Sequence, residues 1–256
     1  MQPAYGTSFL TINCAPKVPE LGNAKNPLAD LRVRKALAMA IDKRYIVDRI
    51  TQMGEQPADA YVPPGFFDGW TSTPAPSYDI AQANRLLDEA GYADRSKMPA
   101  ISIAYTSTSS ARRMVAEFLV QEWTRKLRIP ISVRPLDSKS ASEYVHGKKY
   151  TLALAAWYGD YMDPSTFTDK YKSDCENNDS NWGGPEYDGL LESAIGEPDA
   201  TRRTQLLMRA EAMINTDLPL IPLYYYTNVT MLQDNVNGLP ANSKNLIVWK
   251  RVSLKD

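Results

Sequence analysis

Apolar and polar positions along the 256-residue chain change their period several times, and each change marks an element. Residues 5–13 (YGTSFLTIN) alternate small and large side chains with aromatic and β-branched content, which predicts a strand. Three prolines, Gly22 and two asparagines make 14–27 a loop. At Asp30 the period turns helical. Asp30 is a good N-cap, and Val33, Leu37, Ala40 and Ile41 form one stripe, with Arg32, Arg34 and Lys35 expected on a solvated face. Asp42 can cap a second helix over 43–51, with Tyr45, Ile46 and Ile50 inward. The turn-rich segment 56–77 holds PPGFF at 63–67 and Trp70, and loops of that length tend to carry function or wrap the surface.

From residue 79 the chain alternates. A helix over 79–90 ends at Gly91, a natural C′ residue, and a strand over 100–106 follows. A helix capped by Ser109 or Ser110 runs to Leu127 with Met114, Val115, Phe118, Leu119 and Trp123 as its stripe. Then come a strand over 129–134, a short helix over 140–146 and a buried strand over 150–156. The pattern predicts an α/β layer with largely parallel strands. Ligands in such sheets sit at strand carboxyl ends, where WYGDYMDP (157–164) falls, with Pro164 placed to start a helix. Residues 173–185 are polar and glycine-rich. Helices are predicted over 186–195 and 199–215, the latter with Leu206, Leu207, Ala210 and Met213 inward. Residues 218–232 are strand-like, with Pro219 and Pro222 marking an edge or a crossing between domains. A turn over 235–244 and a strand over 246–252 close the chain, and there is no internal repeat.

Composition narrows the function classes. Hydrophobic residues at 43% and charged residues at 23% are ordinary for a globular chain with an ample core, and a net charge of −1 gives no reason to expect a nucleic-acid partner. No apolar run reaches 18 residues, and the opening MQPAY lacks the basic and apolar regions of a signal peptide. The chain is therefore either cytoplasmic or numbered from downstream of a removed segment. Cys14 and Cys175 fit no metal spacing, and His146 is the single histidine, so no cofactor or metal site is expected. The cysteines are either one bridge closing a long loop, worth ~2–4 kcal/mol, or two unrelated thiols.

An enzyme would have to pair Asp160 with Asp163 or Glu192 as general acid and base. Asp163 before Pro164 is, however, the ordinary cap arrangement. There is no nucleophile beside a base, no G-x-S-x-G elbow and no phosphate-binding glycine pattern. Catalysis is the weaker reading, and no enzyme is expected. Asp160, between Gly159 and Tyr161 and beside Trp157 and Tyr158, is either a solvated turn residue or a carboxylate that pairs with a ligand ammonium in an aromatic cleft.

Four collinear segments carry a resemblance: LADLRVRKALAMAIDK (28–43), YDIA with LLDEAGY (78–81, 86–92), WYGDYMDP (157–164) and LIPLYYY (220–226). Together they resemble the oligopeptide and dipeptide solute-binding proteins of ABC importers, the family 5 extracellular solute-binding proteins, and W-x-x-D-Y is closer to the oligopeptide branch. The resemblance implies a type II periplasmic-binding-protein-like α/β lobe, a mixed and mostly parallel sheet flanked by helices. It places one lobe of a clamshell at 13–222, with hinge strands and a remnant of the other lobe at 1–12 and 223–256. This chain would be an isolated lobe or a split form of a longer protein that is periplasmic or extracellular and lipid-anchored.

The resemblance also implies roles. Asp160 would receive the α-ammonium of a peptide, and the backbone of Ala156, Trp157 and Tyr158 would pair with it. Tyr161 would stand beside it, and Tyr224, Tyr225 and Tyr226 would line the hinge with alternate rings facing the cleft. Partners would be a peptide or other small solute, the membrane permease and the missing amino-terminal lobe. Where relatives place arginines for the ligand carboxylate, this chain has Val145 and Leu154, and the nearby cations are His146, Lys148 and Lys149. If Cys14 and Cys175 pair, they tie a hinge strand to a loop of the same lobe. Rival readings are a nickel chelate, sugar or opine as ligand, a sensor or interaction module, and more distantly a carboxylate-dependent hydrolase.

Overall fold

A computed structural model describes residues 1–239, 242 and 248–254. In chain order the elements are β1 (Gln2–Ile12), α1 (Leu31–Met39), α2 (Lys43–Tyr45), β2 (Gln56–Pro57), α3 (Ile80–Leu87), β3 (Ile101–Thr106), α4 (Ser110–Leu127), β4 (Ile131–Leu136), α5 (Ser138–His146) and β5 (Leu152–Tyr158). Next come α6 (Ser165–Thr168), α7 (Pro185–Gly196), α8 (Ala200–Asp217), β6 (Leu220–Asn228), β7 (Val236–Asn237) and β8 (Ser253–Leu254). The first six strands form one sheet in the order β2-β6-β1-β5-β3-β4, and β7 pairs with β8 separately. Strands β3, β4, β5 and β6 share a direction; β1 and β2 oppose them.

The sheet is covered on both faces because its central strands alternate between two apolar clusters. Leu10, Ile12, Leu152 and Leu154 face α1, α3 and α4, packing with Val33, Leu37, Leu119 and Trp123. Tyr5, Phe9, Ala155 and Trp157 face the other way, onto Phe167, Tyr187, Leu207 and Ile214 of α6, α7 and α8. Capping agrees with the sequence at Asp30, Asp42 and Ser109, and Asp79 and Asp199 are caps as well: each accepts a backbone N–H from the first turn of the adjoining helix.

Several expectations are corrected. Arg34 is buried, because its guanidinium donates to the carbonyls of Leu28, Ala29 and Asp217 (2.8, 3.1 and 2.8 Å) and so satisfies loop and helix-end acceptors that water cannot reach. Tyr45 is exposed and stacks on Phe118 (4.8 Å), and Met114 is likewise on the surface. The helix expected over 43–51 becomes π-helical at Ile46–Thr51 and closes at Gln52 in the left-handed region (φ 54°). β2 pairs with β6 only at Tyr224 and Tyr225, so Pro222 is paired with β1 alone, opposite Phe9 where the β1–β6 register slips, which fits the edge position expected of it. Of the final strand expected over 246–252, residues 246–247 lie outside the described residues and Trp249–Arg251 is a 3-10 turn. Within the turn expected over 235–244, Val236–Asn237 pairs as β7, and 240, 241, 243 and 244 lie outside the described residues. Cys14 and Cys175 are free thiols in this structure, and burial pushes the Cys14 thiol up to about 11.

Candidate ligand-binding site

β5 is longer than its neighbour. Its parallel pairing with β3 is confined to Leu152 and Ala153, whereas its antiparallel pairing with β1 runs to Tyr158 opposite Gly6. Among the described residues no strand pairs with the β3-side edge of β5 beyond Ala153. Ala156, Trp157 and Tyr158 therefore carry backbone groups along an open edge, which is a template for an added strand. The sequence placed Trp157 and Tyr158 after the strand; the structure places them in it.

The side chains on that stretch divide by face. The Trp157 indole turns into the core, donating from Nε1 to the Thr166 carbonyl (2.8 Å), with Lys170 Nζ 5.3 Å from its ring centre. Tyr158 is on the opposite face and half exposed. Its ring stacks on Tyr226 of β6 (4.8 Å, 24° between planes), although β1 lies between the two strands. Gly6 makes that possible: a β-carbon there would come within 2.5 Å of the Tyr158 ring. Tyr224 meets Tyr226 edge-on (5.3 Å) and is nearly buried. The three rings form one shelf across the sheet. Tyr225 has the other orientation: its hydroxyl donates to the Ala60 carbonyl (3.0 Å) and accepts from the Ala60 N–H (3.1 Å). It lines a cavity of about 250 Å³ with Met1, Pro3, Pro64 and Phe66.

The turn after β5 is rigidly supported. The Gly159 N–H donates to the Tyr5 carbonyl (2.9 Å), and the Asp160 N–H to Thr166 Oγ1 (3.1 Å). Asp160 is exposed at the end of the open edge, as is Tyr161, whose hydroxyl lies 3.2 Å from Ser165 Oγ. Asp163 caps the next turn by accepting from the Ser165 N–H (3.0 Å), and it also takes both arms of Arg203 (2.8 and 2.9 Å). Burial alone would raise its titration; the Arg203 fork and the Ser165 N–H outweigh that and hold it below the usual carboxylate range. The two acids of the motif thus differ in kind: Asp163 is committed to structure, and Asp160 faces solvent.

Arg112, in the first turn of α4, stands near this surface and was not singled out by the apolar stripe. It donates to Thr106 Oγ1 (3.3 Å) at the end of β3, and its charge bears on the Tyr158 hydroxyl. Among the described residues it makes no ion pair. It is therefore a cation beside the open edge. His146 Nδ1 is 2.9 Å from Asp179 Oδ1, and Val145 and Leu154, which stand where relatives place arginines, pack into apolar clusters. Glu192 lies against Lys172 (3.8 Å). Among the described residues no group of three or more His, Cys, Asp or Glu is arranged to hold a metal ion, and no described helix is long and apolar enough to cross a membrane.

Comparison with known proteins adds three findings. The profile described as bacterial extracellular solute-binding proteins, family 5 Middle, matches residues 1–179. The oligopeptide-binding protein OppA of Bacillus subtilis is 30% identical over 83% of this chain, and the "Probable deoxycholate-binding periplasmic protein YgiS" of Escherichia coli is 30% identical over 89%. These alignments span 40% and 43% of those two proteins, so the chain covers about two fifths of their length. Among solved structures, the murein tripeptide binding protein MppA of Escherichia coli superposes with a TM-score of 0.84 at 28% identity, over 99% of this chain and 49% of that one.

Proposed function

Since the chain belongs to the bacterial extracellular solute-binding proteins of family 5, we propose that it forms one lobe of a two-lobed receptor that captures peptides for an ABC-type importer. The lobe proper is residues 13–222; 1–12 and 223–256 belong to the hinge and to the second lobe, and the whole works outside the cytoplasmic membrane with a permease as partner. The observation that carries this reading is the open edge of β5 ending on the Asp160 turn. An extended peptide adds to that edge through Ala156, Trp157 and Tyr158, which gives affinity independent of side-chain identity. Its α-ammonium meets Asp160, its carboxylate lies on the side of Arg112, and one side chain rests on the Tyr158–Tyr226 shelf. Closure by the second lobe excludes water and makes both ion pairs count.

A second reading comes from the relative named for deoxycholate. An apolar carboxylate would lie on the aromatic shelf with its charge toward Arg112 and would leave Asp160 unused. Calorimetric titration of the two-lobed protein containing this sequence separates the two. Tri- to pentapeptides are offered free, N-acetylated and C-amidated, alongside deoxycholate. Loss of affinity on N-acetylation supports the peptide reading. Equal affinity for free and acetylated peptides removes the Asp160 contact, and deoxycholate binding without peptide binding replaces the peptide reading by the second.

A further inference from the structure

Residues 59–75 form a closed loop: across its neck the Ala75 N–H donates to the Asp59 carbonyl (2.7 Å). Two side chains of α8 hold it from beneath. Glu211, wholly buried, accepts from the Val62 N–H on one oxygen (2.7 Å) and from the Ser72 hydroxyl on the other (2.6 Å). One turn later, Asn215 accepts from the Tyr61 N–H (3.2 Å) and donates to the Thr73 carbonyl (2.9 Å). Both limbs of the loop thus hang on one helix face. The tip carries Phe66 and Phe67, which pack on Tyr5 (4.9 and 5.6 Å), and Tyr5 in turn supports Gly159 beside Asp160.

Among the described residues, Glu211 has donors around it but no cation. The titratable groups that face it are Tyr187 from α7 and Tyr225 from β6, both raised by burial and so neutral at ordinary pH. At the loop neck, Lys43 donates to the Ala58 carbonyl (2.7 Å) and is lowered to about 8 by burial despite Asp59 nearby. Glu211 is therefore the group that changes charge between pH 5 and 7.

We propose that Glu211 and the loop 59–75 form a pH-sensitive latch, which is held shut while Glu211 carries a proton and opens more readily once that carboxyl ionises. The Ser72 hydroxyl donates to Glu211 when the carboxyl is ionised; when it carries a proton that bond reverses, the carboxyl O–H donating to Ser72 Oγ, while the Val62 N–H still donates to the other oxygen. Desolvation raises the carboxyl to about 6, against the opposing pull of the Ser72 and Val62 donors; opening returns it to water and to its ordinary 4.5. The shut form binds the proton more tightly, so raising the pH from about 5 to 7.5 shifts the balance toward the open form by about eightfold. Opening withdraws Phe66 and Phe67 from Tyr5 and loosens the turn that carries Asp160. The latch stands whatever that turn binds.

The test is amide hydrogen exchange at Tyr61 and Val62 in the 256-residue chain, corrected for intrinsic exchange, between pH 5 and 7.5. The opening constant is expected to rise about eightfold in the native chain and to stay level in Glu211→Gln. A rise of equal size in Glu211→Gln, or none in the native chain, overturns the proposal. Should the variant not fold, carboxyl-carbon NMR of the native chain decides: a Glu211 midpoint near 6 supports the latch, and one at 4.5 overturns it.

Discussion

The ring of Tyr5 occupies the space that a side chain at Gly159 would need, while the two residues share a backbone hydrogen bond of 2.9 Å. The ring cannot retreat, because Phe66, Phe67 and Phe167 surround it at 4.9 to 5.6 Å. Gly159→Ala is therefore expected to destabilise the chain by about 1–3 kcal/mol through overpacking. Urea unfolding measures it: the midpoint falls with an unchanged slope. An unchanged midpoint would mean that the ring moves aside freely.

The Asp163–Arg203 pair carries a pH signature. A carboxyl held below its unfolded value of 3.8 contributes stability above that value and loses it as pH falls through the lower folded value. Arg203→Ala should cost about 1 kcal/mol at neutral pH, since both partners are a third exposed. Melting temperatures of the two proteins should converge as pH drops below 3.8. A gap that persists at pH 2 would assign the loss to packing of the arginine stem.

Arg34 is expected to resist conservative replacement. Three carbonyls converge on its planar guanidinium, and a lysine cannot reach all three. Arg34→Ala should cost about 3 kcal/mol, with Arg34→Lys recovering less than half of it. Full recovery by lysine in thermal unfolding would show that charge alone matters there.

In the two-lobed protein, Asp160→Asn and N-acetylation of the peptide should each weaken binding about tenfold or more, and should not add when combined. Arg112→Ala and C-amidation should behave as a second such pair. Additive losses within either pair would uncouple residue from ligand group.

The chain alone should bind peptides weakly or not detectably, because half the hydrogen-bond partners and the exclusion of water are missing. Submicromolar binding by the 256-residue chain would contradict the two-lobed reading.

Most of the framework was legible from pattern. Helix starts at Asp30, Asp79, Ser109 and Asp199 arise from capping chemistry, which is local. The two-face coverage of the sheet reflects period-two alternation in β1 and β5. Pattern misjudged charged and aromatic residues on helix surfaces. Arg34 looked solvated and is buried, while Tyr45 and Met114 looked inward and are exposed, because a side chain's fate depends on the partner opposite it. Glu211 lay inside an apolar stripe and gave no signal, since its partners are some 140 residues upstream.

The motif at 157–164 shows the same division. By itself the sequence determined an aromatic, acidic turn at the end of a strand, with Asp163 placed to cap the next helical turn. Only the tertiary structure decided that the strand continues to Tyr158 with an open edge, that Gly6 lets Tyr158 stack on Tyr226, and that Arg203 claims Asp163. The reason is physical. Caps and alternation act over a few residues and are written in order, whereas an open edge, a ring stack and an ion pair depend on which distant segments the fold brings side by side, and on which it leaves out.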